Sequence, residues 1–539
     1  MTFRLALWTV FLAALGPNRT PARAGEPALE KVETLLNTPT YRNGHWGLLV
    51  VDAKTGKTVY EKNADQLFCP ASVTKLFTTA AALSEFGADY RFQTPVVRNG
   101  EIDKEGTLKG DLILVATGDL SLGGRTSPEG TLLFKDDDHT YANGNNRGEV
   151  VATDPLAGLD QLAREVAAAG VKSVKGNVLV DDRLFQPAAS TGSGPSKLAP
   201  ILVNDNLIDV VVTPAAKAGE PAEVKLVPET AYASADLRVE TTAAGESPSV
   251  KVTAVGPRRF RVRGRVPVGR KPVVKAYEVD DPASFARTLF IEVLHRRGVK
   301  VEAASVADNA PEKLPTKAEV GKLPKVAEYT SPPFRENLKV ILKVSHNLHA
   351  STLPLLLAAR HGESTLDEGL AREGELLRKL GVAPGSASFG GGAGGARADL
   401  ASPRAAVGLL RAMALRADFP AFEAALPVLG RDGTLARSVA QDSPVRGHAR
   451  AKTGTFYVDN DLDGSTILTS KALAGFMETA SGRPLVFAFF LNNVSIDAKG
   501  DAVTEATAAA GRLLGSLCEA FYRHDAPAAA AAGGEGKGR

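Results

Sequence analysis

Residues Pro70-Ala71-Ser72-Val73-Thr74-Lys75 set a hydroxyl and an amine three positions apart at the start of an apolar, helix-patterned run. Side chains at i and i+3 share a helix face, so Ser72 and Lys75 can hydrogen-bond. A serine hydroxyl is a weak nucleophile near neutral pH until a neighbouring base takes its proton. The pair therefore points to acyl transfer through a covalent serine intermediate. Two further triplets follow in order: Ser345-His346-Asn347, then Lys452-Thr453-Gly454 with Thr455 extending it. Each is weak alone, and the chain carries a second lysine-threonine-glycine at Lys54-Thr55-Gly56, where a glycine between two strand-like runs reads as a turn. Ser72-x-x-Lys75 is the only serine and lysine at this spacing, and both partner triplets lie downstream of it. Lys75 can act as base only when neutral. Burial and a second nearby cation both push an ammonium in that direction, and Lys452 is the candidate cation.

Several elements must position these groups. Leu48 to Asp52, a turn over residues 53–56, and Lys57 to Tyr60 predict a hairpin that delivers the chain to Ser72. The helix predicted over Ser72 to Phe86 shows Val73, Leu76, Phe77, Ala80 and Leu83 on one face and Gly87 as its stop. A nucleophile at its N-terminus gains from the dipole. Farther on, Asp154-Pro155 leads a helical pattern to Gly170-Val171-Lys172, and Asp281-Pro282 leads another to Gly298-Val299-Lys300, which predicts a repeated helix-strand unit. Between the copies, residues 189–265 alternate valines with charges and read as mostly β. The prolines and lysines of residues 313–325 predict a linker. Helical patterns return from Ser331 to Val344 and from Pro354 to Arg360; Gly390 to Gly395 reads as a glycine-dense loop. Two strands (Ala472 to Met477, Leu485 to Leu491) and a helix from Ala502 to about Arg523 precede a low-complexity tail from Ala526.

The 539 residues, 44% hydrophobic and 23% charged, are enough for more than one core. A net charge of +3 with interspersed signs gives no basic patch for nucleic acid. Arg4, the apolar run Leu5 to Leu15 and Ala22-Arg23-Ala24 predict a secretory signal peptide over residues 1–24, hence export to a periplasm or cell envelope. No other stretch approaches the roughly 20 apolar residues of a membrane helix, so no transmembrane segment is expected in the mature chain. Cys69 and Cys518 are the only cysteines, and sequence does not fix whether they pair. Asp136-Asp137-Asp138-His139 reads as a solvated loop, since no second ligand cluster accompanies it. No metal or cofactor is expected. His346 and His349 read as wall or surface groups, because no glycine-x-serine-x-glycine elbow accompanies them.

The three ordered motifs resemble those of the serine penicillin-recognising enzymes, more narrowly the low-molecular-mass class C penicillin-binding proteins, the D-alanyl-D-alanine carboxypeptidase and endopeptidase family. The separation of 273 residues from Ser72 to Ser345 favours that subgroup. Further matches are Gly118-Asp119, Gly176-Asn177-Val178, Asp181-Asp182 with Phe185, Asn204-Asp205-Asn206, Ser331-Pro332-Pro333 and Asp432-Gly433-Thr434-Leu435. The resemblance implies an α/β fold: a serine β-lactamase/D,D-peptidase-like catalytic domain (25–98 and 326–524), its antiparallel sheet flanked by helices. Two nested inserted domains split it, an accessory one (99–188 and 266–312) and a second, mostly β one (189–265), with a linker at 313–325 and a disordered tail at 525–539. It implies a serine D,D-peptidase cutting stem-peptide termini or crosslinks of peptidoglycan, with β-lactams as covalent inhibitors. Ser72, Lys75, Ser345, Asn347 and Lys452 would be catalytic. Thr453, Gly454, Thr455, Arg397 and Asp181 or Asp182 would bind substrate, and the N–H groups of Ser72 and Thr455 would form the oxyanion hole. A β-lactamase or esterase on the same fold, or a non-catalytic cell-wall binding protein, are the alternatives. The oligomeric state stays open, a homodimer included. The family's polar run before its arginine appears here as Gly391 to Ala396 ahead of Arg397, Ser351 stands where relatives carry an acid, and residues 459–469 look inserted.

Overall fold

The computed structural model describes residues 26–143, 149–500 and 502–525, so the expected signal peptide and the tail from Ala526 lie outside them. Five antiparallel strands form the central sheet, in the order Ala449–Asp459, Thr466–Glu478, Pro484–Ile496, His45–Asp52 and Thr58–Lys62. Successive side chains of a strand face opposite ways. Along the third strand, Phe487, Phe489 and Leu491 accordingly join one core with helices Glu26–Leu36 and Ala502–Tyr522. Val486, Ala488 and Phe490 join the other, with helices Thr74–Phe86 and Pro403–Ala414. Both faces are covered, so the middle strands are apolar almost throughout, each fully buried phenylalanine contributing roughly 1.5–3 kcal/mol. The Lys54-Thr55-Gly56 copy is the hairpin turn, with Gly56 at φ 74° and the Asp52 carboxylate accepting the Lys54 and Thr55 N–H groups.

The helix that carries the nucleophile begins differently from its sequence pattern. Ala71–Val73 is one 3₁₀ turn, with Ala71 left-handed at φ 45°, and the α-helix proper is Thr74–Phe86, stopped by Gly87 at φ 79°. Leu76, Phe77, Ala80 and Leu83 are fully buried, which anchors the helix in the core between the sheet and helix Asn347–Arg360. The second triplet follows helix Phe334–Lys339 and a π-helical turn, Val340–Val344. Such turns concentrate at functional sites.

The inserted chain forms a six-stranded sheet and two three-stranded ones. Helices Ala157–Ala168 and Pro282–Arg296 pack together, and each runs into a short strand, Ser173–Val174 and Lys300–Val301, paired in parallel. Three sequence boundaries move. Gln93–Ile102 and Lys325–Thr330 pair within the six-stranded sheet, so that body starts near residue 93 and closes near 330, not at 99 and 312. Residues 313–325 are not a free linker, because Lys317–Val320 is a capped helical turn and Val320 is buried beside Val97, Ile113 and Leu179. Val273–Glu278 pairs with Leu207–Thr213, so the β insert extends past residue 265. In all three places the partner lies far along the chain, where local pattern does not show it. No described helix is long and apolar enough to cross a membrane.

Candidate active site

A cleft of about 660 Å³ opens between the sheet edge, the nucleophile turn and the inserted chain, lined in part by Ser72, Ser345, Asn347, Thr453 and Thr455. At its floor the Lys75 amine lies 2.8 Å from Ser72 Oγ, 2.7 Å from Asn347 Oδ1 and 2.8 Å from the Ala393 carbonyl. Lys75 is wholly buried. Burial, and then the charge of Lys452, push its amine well below the ordinary lysine range, against a smaller pull from Asp399. A neutral amine has two N–H groups and one lone pair. The amide oxygen and the carbonyl can only accept, so they take both N–H groups and the lone pair is left facing Ser72 Oγ. That is the arrangement of a base poised to receive the serine proton.

Ser345 stands on the opposite wall, left-handed at φ 67°, and accepts a hydrogen bond from Lys452 Nζ at 2.9 Å. Lys452 is fully buried on the edge strand of the sheet, and burial followed by the charge of Lys471 lowers it to about 7. Lys471 pairs with Thr455 across the strands and donates to the Thr455 hydroxyl at 2.9 Å; burial pushes it down to about 8. Gly454 is required here, since a Cβ would meet the Pro70 carbonyl oxygen at 2.3 Å. The inserted chain fixes Asn347: its N–H donates to the Thr140 carbonyl at 2.7 Å and its Nδ2 to Ser193 Oγ at 2.9 Å, which leaves Oδ1 toward Lys75. Ser351 is 2.9 Å from Ser190 of the same insert.

The glycine-dense loop supplies backbone rather than side chains. Gly394, at φ 89°, passes so close that a Cβ would lie 1.9 Å from the Ala71 carbonyl oxygen, and this approach aims the Ala393 carbonyl at Lys75. Asp399 holds the loop by accepting the Gly390 and Ala396 N–H groups at 2.9 and 2.7 Å. Burial raises its carboxyl to about 6.

Ser72, Lys75, Ser345, Asn347 and Lys452 thus meet in one place, with Thr453 and Thr455 on the adjoining wall. Four expected substrate contacts do not line this cleft: Gly454, which is packed against Pro70, and Asp181, Asp182 and Arg397. Asp181 is buried at the end of strand Val178–Asp181 and bound by Arg183 at 2.8 Å; Asp182 lies next to it. Arg397 is exposed, because the loop presents its carbonyls inward and its last side chains outward. Asp137 and Tyr141 line the cleft instead. The run from Asp136 to His139 is only half solvated, since Asp138 and His139 are buried in ion pairs, and His346 and His349 are wholly interior. Cys69 and Cys518 are both free thiols. Lys471, Asp399, Ser193 and the Ala393 carbonyl were missed in the sequence. Strand alternation offered one signal for Lys471, a charge in an otherwise apolar run; a carbonyl offers none.

A profile of the D-Ala-D-Ala carboxypeptidase 3 (S13) family matches residues 28–512. A D-alanyl-D-alanine carboxypeptidase of an Actinomadura species is 30% identical over 457 residues, 81% of this chain and 77% of that one. The D-alanyl-D-alanine carboxypeptidase DacB of Haemophilus influenzae is 23% identical over 474 residues, 83% of this chain and 85% of that one. The crystal structure of penicillin binding protein 4 from Haemophilus influenzae shares the fold, with a TM-score of 0.65 at 20% identity over 90% of this chain and 98% of that one.

Proposed function

The chain belongs to the D-Ala-D-Ala carboxypeptidase 3 family and is a serine D,D-peptidase of peptidoglycan; from that premise we propose how its own residues perform the reaction. Ser72 Oγ attacks the penultimate D-alanine carbonyl while Lys75 takes its proton. The N–H groups of Ser72 and Thr455 receive the developing oxyanion; Thr455 lies on an edge strand, where alternate N–H groups are open to a ligand. Ser345, bonded to Lys452, relays the proton that Lys75 took from Ser72 to the leaving amine, which returns Lys75 to its neutral form, and Asn347 holds Lys75 in place. Lys452 and Thr453 face the substrate's free carboxylate. Water then enters, and Lys75 activates it to release the acyl group. The observation that carries this reading is the threefold contact of Lys75, which leaves only its lone pair for Ser72.

The buried acid nearest the nucleophile helix, Glu373, bonds Thr78 and does not line the cleft, so it is no deacylation base there. β-Lactams are expected to acylate Ser72 and leave slowly, as from a peptidase rather than a β-lactamase. Asp137, which lines the cleft, would meet a side-chain amine of the stem peptide. A second groove of about 990 Å³ shares Asp137 with the cleft and is lined by Lys135, Arg270, Lys271, Arg431 and Arg437, giving room and charge for the second strand of a crosslink. Its substrate places the enzyme in the cell envelope, consistent with the export signal read in residues 1–24. Digestion of purified muropeptides by wild type and Ser72→Ala, read by mass, together with labelled penicillin, tests the assignment. Cleavage and a long-lived adduct are expected from wild type alone; equal cleavage by both proteins overturns it.

A further inference from the structure

The turn Ser345-His346-Asn347 carries two of the proposed catalytic groups in a backbone that does not hold itself. Ser345 is left-handed, at φ 67° and ψ 39°. A residue with a Cβ keeps such a conformation only where its surroundings over-determine it. One restraint is the Thr140 carbonyl on the Asn347 N–H. Another runs through His346, whose ring is wholly buried and stacks on His349 with centroids 3.9 Å apart. His346 Nδ1 accepts the His349 backbone N–H at 3.4 Å, so its own N–H sits on Nε2, and Nε2 faces Asp205 Oδ2 at 3.3 Å. His349 Nε2 lies 2.8 Å from the other oxygen of the same carboxylate.

Asp205 belongs to the inserted chain and is itself firmly built. Arg125 Nη2 donates to Oδ2 at 2.6 Å and His139 Nδ1 lies 2.8 Å from it; Asp138 holds Arg125 and Asp209 holds His139 from behind. Asn204, Asp205 and Asn206 are all left-handed, at φ 50°, 52° and 56°. Three such residues in a row aim this side chain at considerable backbone expense, and none of them lines the cleft. Donor atoms of Asp205, His346 and His349 lie within 4.8 Å of one another, a spacing that could suit a metal ion. The Arg125 guanidinium already sits on the carboxylate, so the positive charge an ion would bring is resident.

We propose that Asp205 is a positioning residue for the hydrolysis: acting through His346, it holds the Ser345–Asn347 turn in register with Lys75 and Lys452. This rests on the catalytic reading of Ser345 and Asn347 above. The inserted chain then takes part in the reaction without touching substrate. Asp205→Asn keeps the shape but offers one acceptor oxygen where two now bond Arg125, His139 and His349 and face the N–H of His346, and the turn slips.

The test compares Asp205→Asn, Asp205→Glu, His346→Asn and the Asp205→Asn/His346→Asn double variant on a D-alanyl-D-alanine peptide, with melting temperatures alongside. A slip of the order of an ångström lowers kcat about a hundredfold. Asp205→Asn should show that loss with KM changed less than about threefold, because Lys452 and Thr453 still hold the carboxylate. Asp205→Glu should regain part of kcat, and the double variant should be no worse than the poorer single one. A folded Asp205→Asn protein with kcat within about threefold of wild type overturns the proposal, as do losses that multiply in the double variant. If Asp205→Asn does not fold, a folded His346→Asn protein with normal kcat overturns it equally. Ser345→Ala serves as the separate check: full activity there would strike at the catalytic reading of the triplet, whatever Asp205 does.

Discussion

Lys75 works as a base because it is denied its charge. Burial and the neighbouring Lys452 lower it, while Lys452 falls to about 7 and Lys471 to about 8 in the same cleft. Two conditions oppose each other as pH changes. The free amine of Lys75 gains population as pH rises, whereas the charged form of Lys452, needed for a substrate carboxylate, is lost as pH rises through about 7. kcat/KM for a peptide with a free C-terminus is therefore bell-shaped, and its falling limb reports Lys452. Lys471→Met removes a charge that depresses Lys452 and should move that limb to higher pH. D-alanine release measured from about pH 5 to about pH 10 checks this; an unmoved limb would contradict the coupling. Lys75→Met, which removes the base, should lower kcat by about a hundred- to ten-thousandfold while the protein still folds.

At the scale of elements, the glycine-dense loop decides whether the Ala393 carbonyl reaches Lys75. Gly394→Ala puts a Cβ where the Ala71 carbonyl oxygen lies 1.9 Å away, in a backbone at φ 89° that itself disfavours alanine. The left-handed conformation alone costs about 1–2 kcal/mol. A lower melting temperature and benzylpenicillin acylation slowed at least about tenfold are expected. Gly408→Ala is the control: it lies on the exposed side of helix Pro403–Ala414 with open space around it. There the same substitution should stabilise by roughly 0.5–1 kcal/mol and leave acylation unchanged. Loss of acylation in both variants would remove the argument from loop position.

Across the whole molecule, the inserted chain and the catalytic body meet through buried charges rather than through apolar surface alone. His139 lies within the insert and backs Asp205, the carboxylate that faces His346 and His349 across that seam. Burial works against its positive ring, yet the Asp209 charge and hydrogen bonds to Asp205 and Asp209 outweigh that and raise it to about 10. A free histidine titrates near about 6.5. The stabilisation it contributes is therefore complete below that value and drains away as pH climbs through about 10. The melting-temperature gap between wild type and His139→Gln should be widest below about pH 6.5 and close toward about pH 10. A gap that does not narrow with rising pH would mean the ring is held by packing instead.

The chemistry was legible in the sequence, because helical spacing fixes Ser72 beside Lys75 and local patterns mark the turn at Lys54-Thr55-Gly56, the nucleophile helix and the two long C-terminal strands. What local pattern cannot carry is which distant segments meet. The register that sets Lys471 against Thr455 and the carbonyl of Ala393 on Lys75 leave no trace in residue type. Nor does the choice of Asp137 over Asp181 at the cleft, since acidic residues look alike until a sheet buries one beside Arg183 and leaves another facing the groove. Spacing along the chain determined the nucleophile and its base. Long-range packing alone decided the walls around them, because those contacts depend on chain segments tens to hundreds of residues apart closing on one point.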